Sequence, residues 1–280
     1  MAQTLPPSEI ILGDNSPDTT TRDRVAQLAA KSKIPITYIH HVPGLTPAHN
    51  VDKLFARVTT ELLLLLHDDD VLLPTCLHDL YSCFTPDTPV DVAFGKQYIM
   101  SFNGEVDYAG SEQWNKLYYK TAQYEGRVLA PVESAIVQQF PNNSYLIRTS
   151  IAQSIGYAAL STHACDFEFG LKLALRGYSF QFTNTYTTKA RLSATSLSRN
   201  YDNNGGLIIY QLVKELILST NSFKYKNEVL RKYAPIALAQ SANLRIRKDA
   251  RKIFFDRWHW NRGNALIILK GVYHLVRAHF

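Results

Sequence analysis

The chain has 280 residues, 46% of them hydrophobic, which allows one large domain, or one domain with an appendage, around a full core. Apolar runs such as LLLLL at residues 62–66 are far too short to span a membrane, and the polar, proline-marked start MAQTLPPSE has no signal-peptide pattern. The formal charge of +6 is uneven: residues 224–280 hold 13 Lys/Arg against 3 Asp/Glu, the rest 17 against 21, so an acidic-leaning body carries a basic tail suited to an anionic partner.

EIIL at residues 9–12 predicts a short buried strand, and GDNSPD after it a turn. Residues 22–33 place Val25, Leu28 and Ala29 on one helical face, and residues 34–40 alternate as a second strand. A loop at 44–47 leads to a helix over 50–60 and then to the strand 62–66, whose continuous apolar run suits a parallel strand buried on both faces. Residues 74–84 predict a helix with proline in its first turn, 90–100 a strand, and Asn103-Gly104 a hairpin turn. A strand over 145–147 follows, then a helix over 150–155 stopped by Gly156 and a helix over 166–176 stopped by Gly177. Short strands at 180–182 and 186–190 come next, and from Asn203 the pattern is helical to the end, with breaks at Asn221, Pro235 and Gly263. Alternating strands and helices predict an α/β fold with a mostly parallel sheet over residues 1–200, and 201–280 a basic helical appendage. Cys76, Cys83 and Cys165 have neither disulfide-framework nor zinc-site spacing and read as buried thiols of a reducing compartment.

In open α/β sheets, ligands bind beyond the carboxyl ends of the strands. Asp68, Asp69 and Asp70 stand at that end of the 62–66 strand. Adjacent carboxylates raise one another's pKa, and a divalent cation removes the conflict. Two readings stand: a solvated acidic turn that caps the next helix, or a site for Mg²⁺ or Mn²⁺, which bind hard oxygens and keep positions open for substrate phosphates. Asp166 and Glu168 in CDFEFGLKLALRG are likewise either helix-start carboxylates facing the dipole or a site group, with Asp166 as a general base.

Four segments in sequence order resemble family 2 glycosyltransferases, which have the GT-A fold. SEIILGDNSPD resembles the segment whose acidic residue contacts the nucleotide, with Asp14 matching and Gly13 standing where an aspartate is common. PAHNVDKLFARVTTELLLLLHDDDVLLP resembles the metal-binding region that ends in L-H-D-D-D-L-L-L-P; Asn50, Lys53 and Glu61 fall in step, and Asp52 departs. SYLIRTSIAQSIGYAAL resembles the acceptor-side strand and helix, and DFEFGLKLALRGYSF the segment that carries the catalytic base. The resemblance implies a sugar moved from a nucleotide-diphosphate donor, expected to be a UDP-sugar, to a glycan or lipid-linked acceptor in polysaccharide biosynthesis. It implies Mn²⁺ or Mg²⁺ on Asp70, Asp69 and Asp68, and donor contacts from Asp14, Asn50, Lys53, Asp68 and Asp69. Asp166 would be the base of an inverting displacement, with Glu168 and His163 toward the acceptor.

The match departs in two places. MAQTLP resembles the tail of the family's first helix, so its first strand, central to the sheet in that fold, and part of that helix have no counterpart here. In KARLSATSLSRN, Ser193 stands where relatives often carry a histidine near the metal or diphosphate. An inactive relative that binds a partner or a nucleotide sugar is therefore the alternative reading. A nucleotidyltransferase would want a glycine-rich phosphate loop near the start, which is not visible, and no nucleic-acid module is recognised. In NALIILKGVYHLVRAHF, Ala265, Ile268, Leu269, Val272, Leu275 and Val276 form an apolar face, with Lys270, His274 and Arg277 on another. That segment is either a packed helix or an in-plane membrane helix, and Trp258 and Trp260 fit both. The expected location is cytoplasmic, and the membrane-helix reading of the tail would add peripheral contact at the inner face of the membrane.

Overall fold

The structure is a computed structural model that describes residues 3–87, 89–157, 161, 163–192, 204–260 and 265–278, with backbone alone for 265–268. It divides into two compact units, Met1–Leu192 and Ser193–Phe280.

In the first unit, β1 (Ile10–Asp14) pairs in parallel with β2 (Ile36–His40), from Ile10 opposite Ile36 to Asp14 opposite His40. The crossover between them is α1 (Thr20–Ala29), which buries Val25. Helix α2 (Pro47–Phe55) begins three residues earlier than the apolar spacing suggests. Thr46 caps it, its hydroxyl accepting from the His49 amide, and Pro47 fills the first turn without wasting a donor.

The remaining strands are β3 (Leu62–Leu64), β4 (Val71–Leu72), β5 (Val92–Met100), β6 (Val106–Asp107), β7 (Tyr145–Arg148) and β8 (Phe180–Arg191). They form a second sheet in the order β3-β7-β5-β8-β4, with β6 on β5. Only β5–β8 is parallel there; β3–β7, β5–β7, β4–β8 and β5–β6 are antiparallel. The sheet is thus mixed rather than mostly parallel: β3, β5 and β8 run the same way, and β7 lies reversed between β3 and β5. β3 is covered on both faces, Leu63 buried in one core and Leu62 and Leu64 half-buried against another, but it is an edge strand whose one neighbour is antiparallel. Where the resemblance calls for one sheet through a central first strand, the described residues form two.

The two short strands expected at 180–182 and 186–190 are one strand, β8, whose register against β5 shifts on either side of Lys96. Gly95 permits the shift, because a Cβ there would lie 2.5 Å from Thr187 Cγ2 and 2.7 Å from the Thr185 carbonyl. Helices cover both faces of the sheet: α3 (Cys76–Tyr81), α4 (Tyr108–Leu117), α5 (Pro131–Ile136), α6 (Thr149–Ile155) and α7 (Cys165–Leu175). The larger core joins Phe94, Phe140, Tyr145, Phe169, Phe180 and Phe182 with Leu63, Val92 and Ile147. The smaller one, under α3, holds Cys76, Leu80, Val90, Ala93 and Leu146. Cys76, Cys83 and Cys165 are free thiols, and burial pushes them up to about 12, 11 and 12. They are inert packing groups by that measure.

Beyond Gly95, α4 replaces a neighbouring strand along β5. The Asn115 side-chain amide donates to the Gln97 carbonyl (2.8 Å) and accepts from its N–H (3.1 Å), and the Ser111 hydroxyl accepts from the Ile99 N–H (2.8 Å). Asn115→Leu is expected to strand the buried Gln97 N–H and carbonyl, at about 1–3 kcal/mol for each group left unpaired. A thermal melt unchanged from the parent would show that this edge has another partner.

The second unit contains α8 (Gly205–Glu215), α9 (Phe223–Asn243), α10 (Arg247–Phe254), α11 (Arg257–Trp260) and α12 (Ala265–Arg277). The break near Asn221 is present, between α8 and α9. Lys226 Nζ reaches back to donate to the Lys214 carbonyl at 2.8 Å and to that of Leu216, satisfying orphan acceptors at the end of α8. Pro235, in contrast, lies inside α9 without ending it. Packing outweighs the lost hydrogen bond there: Ala234, Ala237 and Leu238 are fully buried, and α8 approaches so closely that a Cβ on Gly206 would lie 2.5 Å from Ile236 Cγ2. Gly263 lies outside the described residues.

Candidate active site

The strand directions place the carboxyl ends of β3, β5 and β8 at one end of the main sheet, together with the start of β7. Hydrogen bonds tie these ends together. The Ser144 N–H donates to the Leu65 carbonyl (2.7 Å), and the Asp70 N–H to the His67 carbonyl (3.3 Å), which closes a turn over Asp68 and Asp69. Arg191, at the end of β8, donates from its guanidinium to the backbone carbonyls of Asp69 (2.9 Å) and Ser101 (3.0 Å), and to that of Phe102. The acidic turn, the hairpin after β5 and the end of β8 are therefore one hydrogen-bonded assembly.

Asp70 is half-buried in it. One carboxylate oxygen accepts from the Arg191 N–H (2.8 Å) and the other from the Asn143 amide (2.9 Å). Burial pushes this carboxyl above its ordinary value and Asp69 adds to the rise; the Arg191 and Asn143 donors pull back without cancelling it. The same Asn143 nitrogen lies 3.0 Å from His67 Nδ1, and the Ser144 hydroxyl donates to Asn143 Oδ1. His67, Asp69 and Asp70 each present a ligand atom, all within 4.8 Å of one another. One imidazole nitrogen with two carboxylates fits a divalent ion and suits Mn²⁺ better than the all-oxygen preference of Mg²⁺. Asp68, the remaining member of the triplet, is exposed and outside this trio.

Asp166 stands in the first turn of α7, half-buried. Burial raises its carboxyl above 3.8, partly offset by the charge of His67 and a hydrogen bond from the Tyr157 phenol. The Tyr157 phenol is in turn 3.0 Å from that of Tyr145, and its ring stacks on Phe169 at 4.4 Å between centroids. Asp52, the departure from the family pattern in α2, holds this arrangement: its carboxylate accepts from the Tyr157 N–H (2.5 Å) just after Gly156 (φ +64).

A sign follows for stability. The folded pKa of Asp166 is raised, so between its unfolded and folded values the fold holds more protons than the unfolded chain, and stability falls as pH rises through that window. Asp166→Asn removes this loss. Its melting temperature at pH 7 is expected to equal or exceed the parent's, with the difference shrinking toward pH 4; a lower melting temperature at both would contradict the assignment.

Asp14, Asn50 and Lys53 belong to the smaller sheet and α2. Asp14 is buried at the end of β1; burial pushes its carboxyl up, but the Ser16 donor (2.8 Å) and the Tyr38 phenol (2.5 Å) hold it below the ordinary range. Asn50 donates to the Gly13 carbonyl (3.3 Å), and a Cβ on Gly13 would lie 2.3 Å from Asn50 Oδ1. Asn50 thus fills the space that a side chain at position 13 would use. Lys53 is exposed. Toward the acceptor, the Glu168 carboxylate accepts from the Ser161 N–H (3.2 Å), and His163 is exposed. Ser193 lies outside the described residues. The residues missed by sequence reasoning are His67 as a ligand, Asn143, Arg191, Tyr145 and Tyr157. Their one sequence signal is position beside a recognised motif, as in HDDD and PNNSYLIR.

Residues 1–138 match the family described as glycosyl transferase family 2. No curated protein sequence matches the chain. Among solved structures, S. aureus TarS is similar with a TM-score of 0.61 and 15% identity, over 99% of this chain and 49% of that one, so the chain spans about half its length. TarS 1–349 gives 0.58 and 15%, over 98% and 82%. The mannosyltransferase PcManGT of Pyrobaculum calidifontis, in complex with GDP-Man and Mn²⁺, gives 0.57 and 12%, over 98% and 80%. At these identities the structural likeness speaks for fold. With the family match over residues 1–138, the segment that contains the acidic turn, the chain carries a glycosyl transferase family 2 domain and has the GT-A fold.

Proposed function

We propose that this glycosyltransferase moves a sugar, with inversion, from a nucleotide-diphosphate donor to a hydroxyl of a glycan or lipid-linked acceptor, and that it depends on Mn²⁺ or Mg²⁺. The observation that carries the reading is the trio His67, Asp69 and Asp70, whose ligand atoms lie within 4.8 Å of one another in the turn after β3, with the half-buried Asp166 in the first turn of α7 as the candidate base. The trio would hold the ion, which supplies Lewis-acid neutralisation of the donor's diphosphate. Asn143 fixes His67 and Asp70 from behind, as supporting partners of metal ligands do. Asp166 would take the acceptor proton while Tyr157 orients its other oxygen. Asp14, on the smaller sheet, and Asn50, on α2, are assigned to the nucleotide, with Lys53 and Asp68 as outer donor contacts. His163 and Glu168 are assigned to the acceptor side. The complex of PcManGT with GDP-Man and Mn²⁺ supports this class of donor and ion.

A second reading, nucleotide-sugar binding without turnover, is favoured by the division of the sheet, because β1, which ends in Asp14, shares no pairing with β3 and β4, which flank the acidic turn, or with β8, which ends in Arg191. Calorimetric titration of UDP and GDP with and without Mn²⁺, followed by assays of donor hydrolysis and transfer, tests both. Manganese-dependent binding with turnover supports the transferase; binding with no turnover in any assay supports the second reading; no binding rejects both.

A further inference from the structure

We propose that the second unit docks on an anionic lipid surface through the outward face of α12. The inward face of the helix is closely packed. A Cβ on Gly271 would lie 2.3 Å from His259 Nε2 and 3.4 Å from the Phe254 ring, and Ala278 is fully buried. The opposite face of a helix that meets only water is polar. Here it is apolar: Leu269, Val272, Tyr273 and Val276, spaced i, i+3, i+4 and i+7, are 66%, 43%, 60% and 51% exposed. Two further apolar groups of this unit are exposed. Phe255 (70% exposed) and Trp260 (41%) both pack edge-on against Phe254, the ring beneath Gly271. Single exposed apolar side chains are ordinary, but a continuous stripe with aromatic neighbours marks an interaction surface.

Charge decides the occupant. Residues 224–280 hold 13 Lys/Arg against three acids, and one of these, Asp256, is bound to Lys214, so the charge of this region is strongly positive. Lys270 and Arg277 are exposed on α12 beside the stripe, and Arg251 and Lys252 are exposed on α10. Apolar and aromatic side chains rimmed by cations suit a helix lying in the headgroup region, where acyl chains take the stripe and anionic headgroups the rim. No described helix is long and apolar enough to cross a membrane, so the contact is in-plane. The inference is independent of the transferase reading, because it is measured without donor or acceptor.

The experiment is co-sedimentation of the full 280-residue chain with vesicles of phosphatidylcholine alone, or mixed with phosphatidylglycerol. Binding to the mixed vesicles only, weakened by salt, is expected. Val272→Glu with Val276→Glu should abolish it, and both positions are exposed, so the thermal melt should hold. Lys270→Gln with Arg277→Gln should weaken it about 30-fold, at about 1 kcal/mol for each cation. Three results would overturn the proposal: no binding to anionic vesicles, equal binding to both kinds, or binding that survives the glutamates. Self-association that the glutamates abolish, without vesicle binding, would assign the stripe to a second copy of the chain and overturn it as well.

Discussion

Asp166→Asn is expected to lower sugar transfer by about 10²–10⁴-fold, the usual contribution of a positioned general base, while leaving nucleotide binding intact. The change is nearly isosteric. The amide oxygen still accepts from the Tyr157 phenol, and Tyr157 stays held by Asp52 and its stack on Phe169. What disappears is the proton acceptor. Glu168 is a poor substitute, since it lies two residues along the helix and is already engaged by the Ser161 N–H. Because the variant also loses the cost of ionising a buried carboxylate, it should be at least as stable as the parent at pH 7, so lost activity could not be ascribed to unfolding. Rates of transfer, UDP or GDP calorimetry and a thermal melt on the same preparation check all three parts. Transfer at the parental rate would reject Asp166 as the base. Loss of binding along with transfer would make it a structural residue of the site.

Much of this site was legible as local pattern. The strand ending at residue 64, the acidic turn and the α7 carboxylate each declare themselves through residues next to one another in sequence. The glycine stops at 156 and 177 are equally local, and both have positive φ. Three other features depend on pairing between distant residues, which periodicity does not encode. β3 reads as a parallel strand from its leucines, which do meet cores on both faces, yet its one neighbour is β7, which arrives about eighty residues later and runs antiparallel to it. β8 reads as two strands because residues 183–185 interrupt the alternation, and only its register against β5 shows one strand absorbing the irregularity at Gly95. Pro235 reads as a break because local propensity forbids it, and α8 overrides that by packing. The supporting residues of the site fall in the same class. Asn143 and Arg191 are ordinary polar residues in sequence and acquire a role only when the ends of β3, β5, β7 and β8 meet.

Asp70→Asn is expected to abolish the manganese-dependent part of donor-nucleotide binding. The substitution removes a negative ligand from a trio that has only two carboxylates, and leaves His67 and Asp69 to hold the ion. It also inverts one hydrogen bond. Asn Oδ1 can accept from the Arg191 N–H as Asp70 does, but its amide nitrogen then faces the Asn143 amide, a donor against a donor where 2.9 Å now separates donor from acceptor. That mismatch should cost about 1–3 kcal/mol of stability if the amide cannot turn away. The two effects are separable by linkage. An ion that binds only the folded protein stabilises it by about 2.7 kcal/mol at a hundredfold excess over its dissociation constant. The parent should therefore melt at a higher temperature with Mn²⁺ and a nucleotide diphosphate than without. Asp70→Asn should melt slightly lower without them and show no rise when they are added. A variant that keeps the full manganese-dependent rise would show that the ion sits elsewhere, and the acidic turn would revert to a solvated helix approach whose strained ionisation serves nothing. Asn143→Ala supplies the complementary case. It keeps all three ligands but frees His67 and Asp70 to move, so the rise should persist at a higher manganese concentration, about 10–100-fold, as for other supporting partners of metal ligands. Loss of the rise in Asp70→Asn and its displacement in Asn143→Ala would together locate the ion at the end of β3 and assign its orientation to the start of β7.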